Sequence, residues 1–124
     1  MTEIATLLQD LVRIPSINPM GRDLEESLIY EFRVTDYLES FFHALGVPTT
    51  RQTIQERREN LLAFHKTDSP LTLLWEVHQD TVPVDQMIID PFGGRIEDGK
   101  LYGRGACDIK GGMSSMLSAF ARLV

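Results

Sequence analysis

Residues 76–112 read EVHQDTVPVDQMIIDPFGGRIEDGKLYGRGACDIKGG, and this stretch decides how the rest of the chain is interpreted. It places His78 and Asp80 two positions apart, directly after the most apolar run in the sequence. Alternate residues of a strand point to the same side, so both side chains can serve one site if a strand continues through them. An imidazole and a carboxylate on rigid backbone are ligands that zinc and cobalt ions accept. The pattern therefore predicts part of a metal site.

Asp108 is the second candidate ligand, and it lies in the loop GRGACDIKGG at residues 103–112. The glycines of this loop would let the backbone approach a metal ion closely. Asp108 also precedes a helical pattern, so it could instead cap that helix. The flanking glycines exceed what a cap requires, and this favours the interpretation of Asp108 as a ligand.

Asp80 also has two interpretations. It could form a turn before Val82 and Pro83. It could also accept a hydrogen bond from the far ring N–H of His78, which would fix the tautomer of the ring and raise its basicity as a ligand. We favour the second interpretation, because the side chains of an H-x-D strand end lie within reach of each other.

The other polar residues near these motifs are expected to have ordinary roles. His43 lies within a helical segment and is interpreted as a packing residue, and His65 as a surface residue at a strand end. Arg104 and Lys110 are expected to be solvated or salt-bridged charges. Cys107 could act as a nucleophile with His78 as its base, but a lone cysteine is more often a small buried residue.

Composition and charge restrict the class of protein. A chain of 124 residues has room for one domain. Its apolar fraction of 43% and charged fraction of 24% are those of an ordinary globular protein. The net charge of −6 argues against a nucleic-acid surface. The single cysteine fits a reducing compartment, and the sequence shows neither a signal-peptide pattern nor an apolar run long enough to span a membrane. We therefore expect a soluble, cytoplasmic protein.

Helical spacing predicts three helices. The first contains Ile4–Val12, with Thr2 as its N-cap. The second spans about Leu24–Leu45, with Gly46 as the residue that ends it. Its predicted buried face consists of Leu28, Ile29, Phe32, Leu38, Phe41, Phe42 and Leu45. The third contains Met113 and the apolar residues after it, and no glycine, asparagine or proline ends it. That missing stop signal leads us to expect that the reading frame continues.

Strand patterns follow the second helix. Thr49–Ile54 is polar and β-branched, as an edge strand would be, and Leu61–His65 is short and mostly apolar. Leu71–Val77 is almost continuously apolar, which predicts a central strand covered on both faces. Arg95–Tyr102 predicts a hairpin that turns at an Asp-Gly pair. Helices combined with these strands predict an α/β fold, with His78 at the carboxyl end of the most buried strand.

Two motifs in this order resemble those of a known family. The sequences HQDTVP (78–83) and GRGACDIKGG (103–112) are similar to the paired signature of the co-catalytic zinc aminoacylase/carboxypeptidase family. Acetylornithine deacetylase, succinyl-diaminopimelate desuccinylase, aminoacylase and glutamate carboxypeptidase are members of that family. The similarity extends to LVRIPSINP (11–19) and to the approach DPFGG (90–94).

The resemblance implies a three-layer αβα zinc-peptidase-like catalytic domain, with helices packed on a mixed sheet. Residues 1–124 would be the N-terminal part of that domain, without its C-terminal half and without the domain that mediates dimerisation. His78 would bind one of two divalent metal ions, Asp108 would bridge both ions, and Asp80 would have a catalytic role by orienting His78. Zinc is the expected metal, with cobalt or manganese as alternatives. A cis peptide bond between Asp108 and Ile109 is also implied.

The activity implied by the resemblance is metal-dependent hydrolysis of the amide bond in N-acyl amino acids or small peptides, by a water that two ions activate. The glutamate that acts as general base in the family, and the remaining ligands, have no positions in this sequence, so we expect the chain alone to be inactive. The full-length protein would be a homodimer acting on a small-molecule substrate, with no nucleic-acid or membrane partner. Two alternatives stay open: a non-catalytic binding or regulatory module on the same scaffold, and a small protein that self-associates to complete a shared site.

Overall fold

The computed structural model describes residues 3–124, which form three helices and two antiparallel hairpins. The helices are α1 (Glu3–Val12), α2 (Phe32–Ala44) and α3 (Lys110–Ala121). The strands are β1 (Thr49–Gln55) paired with β2 (Arg58–Ala63), and β3 (Arg95–Glu97) paired with β4 (Lys100–Tyr102). Within this described range, no helix is long and apolar enough to cross a membrane. The N-cap predicted at Thr2 lies outside the described residues.

The three helices share one apolar core. Helices α2 and α3 each contribute residues at i and i+4, which lie on one helix face, and the buried members of the core are Leu11, Val34, Leu38, Met113 and Leu117. Helix α1 packs against α3, while strand β2 packs against α2. Phe42 of α2 also meets Phe120 of α3 edge-on, with 5.3 Å between the ring centroids. This core fixes the start of α3 relative to the end of α1.

The second helix is shorter than its apolar pattern predicted, because its first two turns do not form. Residues 24–31 make turns and a bridge, and the helix begins at Phe32. Ile29 is buried, but in a parallel bridge with Ile17 rather than on a helix face. The Ile17 N–H donates to the Leu28 carbonyl, and the Tyr30 N–H donates to the Ile17 carbonyl. These bonds occupy backbone groups that a helix would have needed, and Tyr30 takes a φ of +65° that is incompatible with one.

The end of the second helix and both hairpin turns follow local sequence chemistry. Gly46 has a φ of +73° just beyond the helix, as predicted. The hairpin predicted at residues 95–102 is confirmed, and Asp98 and Gly99 have φ values of +50° and +72°. Such paired positive φ values match the twist of the flanking strands.

Strand β1 is confirmed near its predicted position. Strand β2 starts at Arg58, earlier than predicted, because the turn at residues 56–57 is tight.

The prediction of a buried central strand at Leu71–Val77 is wrong for the described chain. This segment pairs with no other strand among residues 3–124. Leu71 and Leu74 are 84% and 82% exposed, and only Val77 reaches the core. An apolar strand is buried on both faces only when other strands pair with it and helices cover the sheet. Among the described residues, no strand pairs with this segment. His78 consequently follows an extended, unpaired segment rather than a sheet strand.

A short extended segment, Ser16–Asn18, holds the backbone that carries the predicted site, and we call it the clasp segment. Ile17 forms parallel bridges with Ile29 on one side and Thr81 on the other. The Asn18 N–H donates to the Thr81 carbonyl at 2.8 Å, and the Thr81 N–H donates to the Ser16 carbonyl at 2.9 Å. The buried Ser16 hydroxyl also donates to the Gln79 carbonyl at 2.8 Å. The clasp segment therefore fixes residues 79–81 through main-chain hydrogen bonds and the Ser16 hydroxyl.

A cluster of charges joins the β1–β2 hairpin to α2. Arg51 of β1 donates to Asp36 at 2.8 Å and to Glu39 at 3.1 Å, both on α2, and to Glu59 of β2 at 2.9 Å. The hydrogen bond from Arg51 holds the pKa of Glu39 below its ordinary value of 4.5. The Glu39 carboxylate therefore takes up a proton less readily in the folded chain than in the unfolded chain.

We expect the Arg51→Met variant to lose part of the acid sensitivity of folding. The stabilisation from a carboxyl with a depressed pKa is complete above its unfolded pKa of 4.5 and is lost as the pH falls through the folded value. The temperature midpoint of unfolding can be followed by circular dichroism between about pH 3 and pH 7. As the pH is lowered below 4.5, this midpoint should fall less steeply in the variant than in the natural chain. Arg95→Met, which removes an exposed pair with Glu97 and a contact with the Tyr102 ring away from this cluster, is the control. Parallel curves for all three proteins would contradict the role given to Arg51.

Candidate metal centre

The three residues singled out from the sequence lie together in the structure. The His78 Nδ1 atom is 2.9 Å from the backbone carbonyl oxygen of Asp80 and 3.3 Å from its carboxylate Oδ1. The His78 Nε2 atom is 3.2 Å from Oδ1 of Asp108. All three side chains line one cavity of about 300 Å³. Its other lining residues are Asn18, Met20, Thr81, Val82 and residues 103–107.

Asp108 does not cap the helix that follows it, so the alternative interpretation of this residue is wrong. The N-cap position of α3 is Ile109, and no side chain makes a capping hydrogen bond there. The side chain of Asp108 is 84% exposed and its described partner is the His78 ring. The peptide bond between Asp108 and Ile109 is cis, as the family resemblance implied.

The carboxylate of Asp80 is held on both of its oxygens. Oδ1 faces the His78 ring, while Oδ2 accepts a hydrogen bond from Asn18 Nδ2 at 3.0 Å. Arg58 Nη2 lies 3.7 Å from the same Oδ2 atom. Asp80 is therefore directed at the ring, which is the arrangement that the orienting interpretation requires. Asn18 and Arg58 were not singled out from the sequence, because both lie far from the two motifs along the chain.

The contact between His78 and Asp108 brings two hydrogen-bond acceptors together when the ring is neutral. The short contact with the Asp80 carbonyl places the ring proton on Nδ1, so Nε2 presents a lone pair to the Asp108 carboxylate. Such a contact needs a positive charge, either a second ring proton or a metal ion. Ligand atoms bound to one tetrahedral zinc ion are roughly 3.3–3.4 Å apart, close to the 3.2 Å found here. The pair therefore fits a single divalent ion.

The described chain provides only part of a complete metal shell. Among residues 3–124, no group of three or more histidine, cysteine, aspartate or glutamate side chains is placed to hold an ion. Structural and catalytic zinc sites use three or four protein ligands. The side chain of His78 is half exposed, so the pair opens to solvent. Whether His78 and Asp108 act as ligands stays a prediction.

Lys110 is buried, and the expectation that it is a solvated or salt-bridged charge is wrong. The residue is 1% exposed, and its Nζ donates to the carbonyls of Leu11 at 2.9 Å and Ile14 at 2.7 Å. Burial, together with the nearby Arg33 guanidinium, lowers the pKa of Lys110 to about 8. The first carbonyl belongs to the last turn of α1, where partial negative charge favours a donor. Lys110 therefore ties the glycine-rich loop to the end of α1.

Gly103 and Gly105 allow the glycine-rich loop at residues 103–112 to approach α1 closely. A Cβ atom at Gly103 would lie 2.3 Å from Cγ1 of Val12 in α1. A Cβ atom at Gly105, which has a φ of +83°, would lie 2.9 Å from Thr81 Cγ2 and 3.1 Å from Lys110 Cδ. These glycines therefore allow the loop to pack directly against α1 and against the segment that carries Asp80.

The remaining candidates take no part in the contact between His78 and Asp108, although Arg104 and Cys107 line the same cavity. Cys107 is a free, exposed thiol in the cavity wall, so the expectation that it is buried is wrong. His65 is exposed beyond the end of β2, as expected, whereas His43 is exposed and hydrogen-bonded to Thr49 rather than packed in the core. Arg104 is partly buried, and its Nε atom has no hydrogen-bond partner among the described residues.

Comparisons with known proteins show which proteins this chain resembles. Residues 74–124 match the model of peptidase family M20/M25/M40. The chain is 35% identical over 120 residues to a succinyl-diaminopimelate desuccinylase of Rhodospirillum centenum, covering 91% of this chain and 28% of that protein. It is 33% identical over 127 residues to the succinyl-diaminopimelate desuccinylase of Legionella pneumophila (strain Corby), covering 100% of this chain and 30% of that protein.

A solved structure extends the similarity to the fold. The M20 family metallo-carboxypeptidase Sso-CP2 from Sulfolobus solfataricus matches with a TM-score of 0.82 and 28% identity, over 99% of this chain and 27% of that one. The match supports the predicted αβα fold, of which this chain forms a part. The resemblance recognised from the two motifs is confirmed by these matches. The chain spans less than a third of the length of the relatives it matches.

Replacing Lys110 with methionine should destabilise the chain and loosen the loop. The variant keeps most of the buried volume but deprives two carbonyls of a donor, which we expect to lower the free energy of unfolding by about 1–2 kcal/mol. Urea unfolding followed by circular dichroism measures this difference. Lys100→Met, at an exposed position of β4, is the matched control and should change the free energy by less than about 0.5 kcal/mol. Equal stability of the Lys110 variant and the natural chain would refute the anchoring role.

Proposed function

We propose that this chain supplies one part of the metal site of a hydrolase that cleaves the amide bond of N-acyl amino acids or small peptides. The observation that carries the proposal is the 3.2 Å contact between His78 Nε2 and Asp108 Oδ1, with Nδ1 of the ring directed at Asp80. A neutral imidazole and a carboxylate facing each other in this way are suited to share a cation. The similarity to M20 metallopeptidases supports the same function.

In this proposal, His78 and Asp108 hold the metal, and Asp80 keeps the ring of His78 in the tautomer that leaves Nε2 free to bind. Asp108 has a second carboxylate oxygen, so it is suited to bridge two ions, and zinc is the metal we propose, with cobalt or manganese as substitutes. Bound ions of this kind supply an activated water at neutral pH and polarise the acyl carbonyl. The exposed side of Asp108 leaves room for further ligands from outside the described residues.

The substrate class is proposed from the relatives. Two of them are desuccinylases and one is a metallo-carboxypeptidase. Both activities break an amide bond in a small molecule or at a peptide end, and we extend that common chemistry to the protein of which this chain forms a part. We also propose that the whole protein is a cytoplasmic homodimer.

The chain by itself should bind zinc weakly through His78 and Asp108. Zinc binding can be measured by competition with a chromophoric chelator at neutral pH. We expect His78→Ala and Asp108→Asn each to reduce the affinity at least about tenfold, because each removes one of only two ligands. His65→Ala removes an exposed imidazole away from the cavity and is the matched control. Equal loss in all three variants would show adventitious binding and refute the proposed site.

The chain by itself should not hydrolyse amides even when zinc is present in excess. The described residues place two ligands at the site, against the three or four that a zinc centre uses. N-succinyl-diaminopimelate and an N-acetyl amino acid are suitable test substrates, with release of the free amine as the readout. Turnover that requires both His78 and Asp108 would show that the chain is a complete enzyme and would contradict this part of the proposal.

A further inference from the structure

The orientation of Asp80 depends on contacts outside the two motifs. A carboxylate on a short side chain rotates about a broad torsional minimum, so one neighbour does not fix it. Oδ1 of Asp80 faces His78 Nδ1 at 3.3 Å. Oδ2 faces two donors, Asn18 Nδ2 at 3.0 Å and Arg58 Nη2 at 3.7 Å. The donors on Oδ2 decide which oxygen remains for the histidine.

Arg58 is itself held firmly in place. Its Nε donates to both carboxylate oxygens of Glu31, at 3.0 Å and 3.2 Å. Glu31 is 8% exposed and immediately precedes α2, so it is a nearly buried anchor. The guanidinium also lies over the Tyr30 ring, 5.7 Å from its centroid. A planar guanidinium can meet one carboxylate through Nε and another through Nη2, which a lysine ammonium cannot do with the same geometry.

We propose that Arg58, anchored by Glu31, is a positioning residue for Asp80 and through it for the imidazole of His78. The inference rests on the proposed function in assigning His78 to a metal. The ion pairs of Glu31, Arg58 and Asp80 run from the N-terminal end of α2 to the edge of the cavity. By occupying Oδ2 together with Asn18, Arg58 leaves Oδ1 directed at Nδ1 of the ring. Oδ1 then lies beside the Asp80 backbone carbonyl as a second acceptor for the Nδ1 proton of the ring, at 3.3 Å against 2.9 Å. Together the two acceptors keep the lone pair on Nε2, the atom that faces Asp108.

The neighbouring Arg57 provides a matched comparison. It stacks over Tyr30 and Phe32, with 5.5 Å and 4.7 Å to the ring centroids, and pairs with Glu26. It makes no ion pair with Asp80 among the described residues. Arg57 and Arg58 are therefore two adjacent arginines with similar aromatic contacts, of which one touches the carboxylate of Asp80.

The test measures the tautomer of His78 and the zinc affinity in Arg58→Met and Arg57→Met. Long-range ¹H–¹⁵N spectra of the metal-free chain at about pH 9, where imidazoles are neutral, distinguish the two ring tautomers. In the natural chain and in Arg57→Met we expect the Nδ1–H tautomer to dominate. In Arg58→Met only the backbone carbonyl of Asp80 remains as a fixed acceptor for the Nδ1 proton, so we expect a larger share of the Nε2–H tautomer, giving a mixture of both. We also expect a zinc affinity reduced at least about tenfold, as for other residues that orient a metal-bound histidine.

A second variant separates positioning from folding. Arg58→Met leaves Glu31 buried without its partner, which can destabilise the chain on its own. Glu31→Gln combined with Arg58→Met removes both charges, and we expect it to fold and to show the same mixture of tautomers. If either folded variant keeps the Nδ1–H tautomer and the zinc affinity of the natural chain, the proposal is overturned.

The two readouts also separate this inference from the proposed function. A natural chain that binds no zinc, but whose ring tautomer still shifts in Arg58→Met and not in Arg57→Met, would refute the metal site and support the positioning role. A natural chain that binds zinc through His78, with an affinity and a tautomer that Arg58→Met leaves unchanged, would support the metal site and refute the positioning role.

Discussion

The backbone hydrogen bonds of the clasp segment are the constraint on which the candidate site depends. Ile17 is bonded to Leu28 and Tyr30 on one side, and its neighbours Ser16 and Asn18 are bonded to Thr81 on the other. This pairing takes the place of a sheet at the segment that carries His78 and Asp80, which has no strand partner within residues 3–124. Without it, that segment would be tethered mainly through the side chains around Asp80 and Gln79. The site is thus assembled by a few main-chain hydrogen bonds between distant parts of the chain rather than by a sheet.

Asp108 is placed by a different set of contacts. The loop that carries it packs against α1 through Gly103 and is tied to the end of α1 by the buried Lys110. The position of His78 therefore depends on the clasp segment, and that of Asp108 on the packing of α1 with α3. The clasp segment follows α1 closely in the chain. The positions of His78 and Asp108 therefore both depend on the same short stretch of backbone, from the end of α1 to the clasp segment. Their common dependence on this stretch accounts for an ordered contact between the half-exposed His78 and the largely exposed Asp108.

Features set by a few adjacent residues could be predicted from the sequence, and features set by distant partners could not. Gly46 and the Asp98–Gly99 turn were predictable because positive φ angles select those residue types locally. The helical pattern before Phe32 was overruled by bonds to Ile17, and the apolar run at Leu71–Val77 found no partner strand among the described residues. The same limit applies to the site. The motifs identified the three side chains that converge, but the burial of Lys110 and the contacts of Asn18 and Arg58 with their partners depend on long-range packing.

The clasp segment lies between two prolines, Pro15 and Pro19, and neither position is required to donate a backbone hydrogen bond. Proline restricts its own φ angle and steers the residue before it away from helical conformations, so Ile14 and Asn18 are biased toward extended backbone even in the unfolded chain. Part of the conformational entropy that this segment must lose on folding is thus already absent beforehand. The strip of chain that aligns both halves of the site is stiffened before any tertiary contact forms.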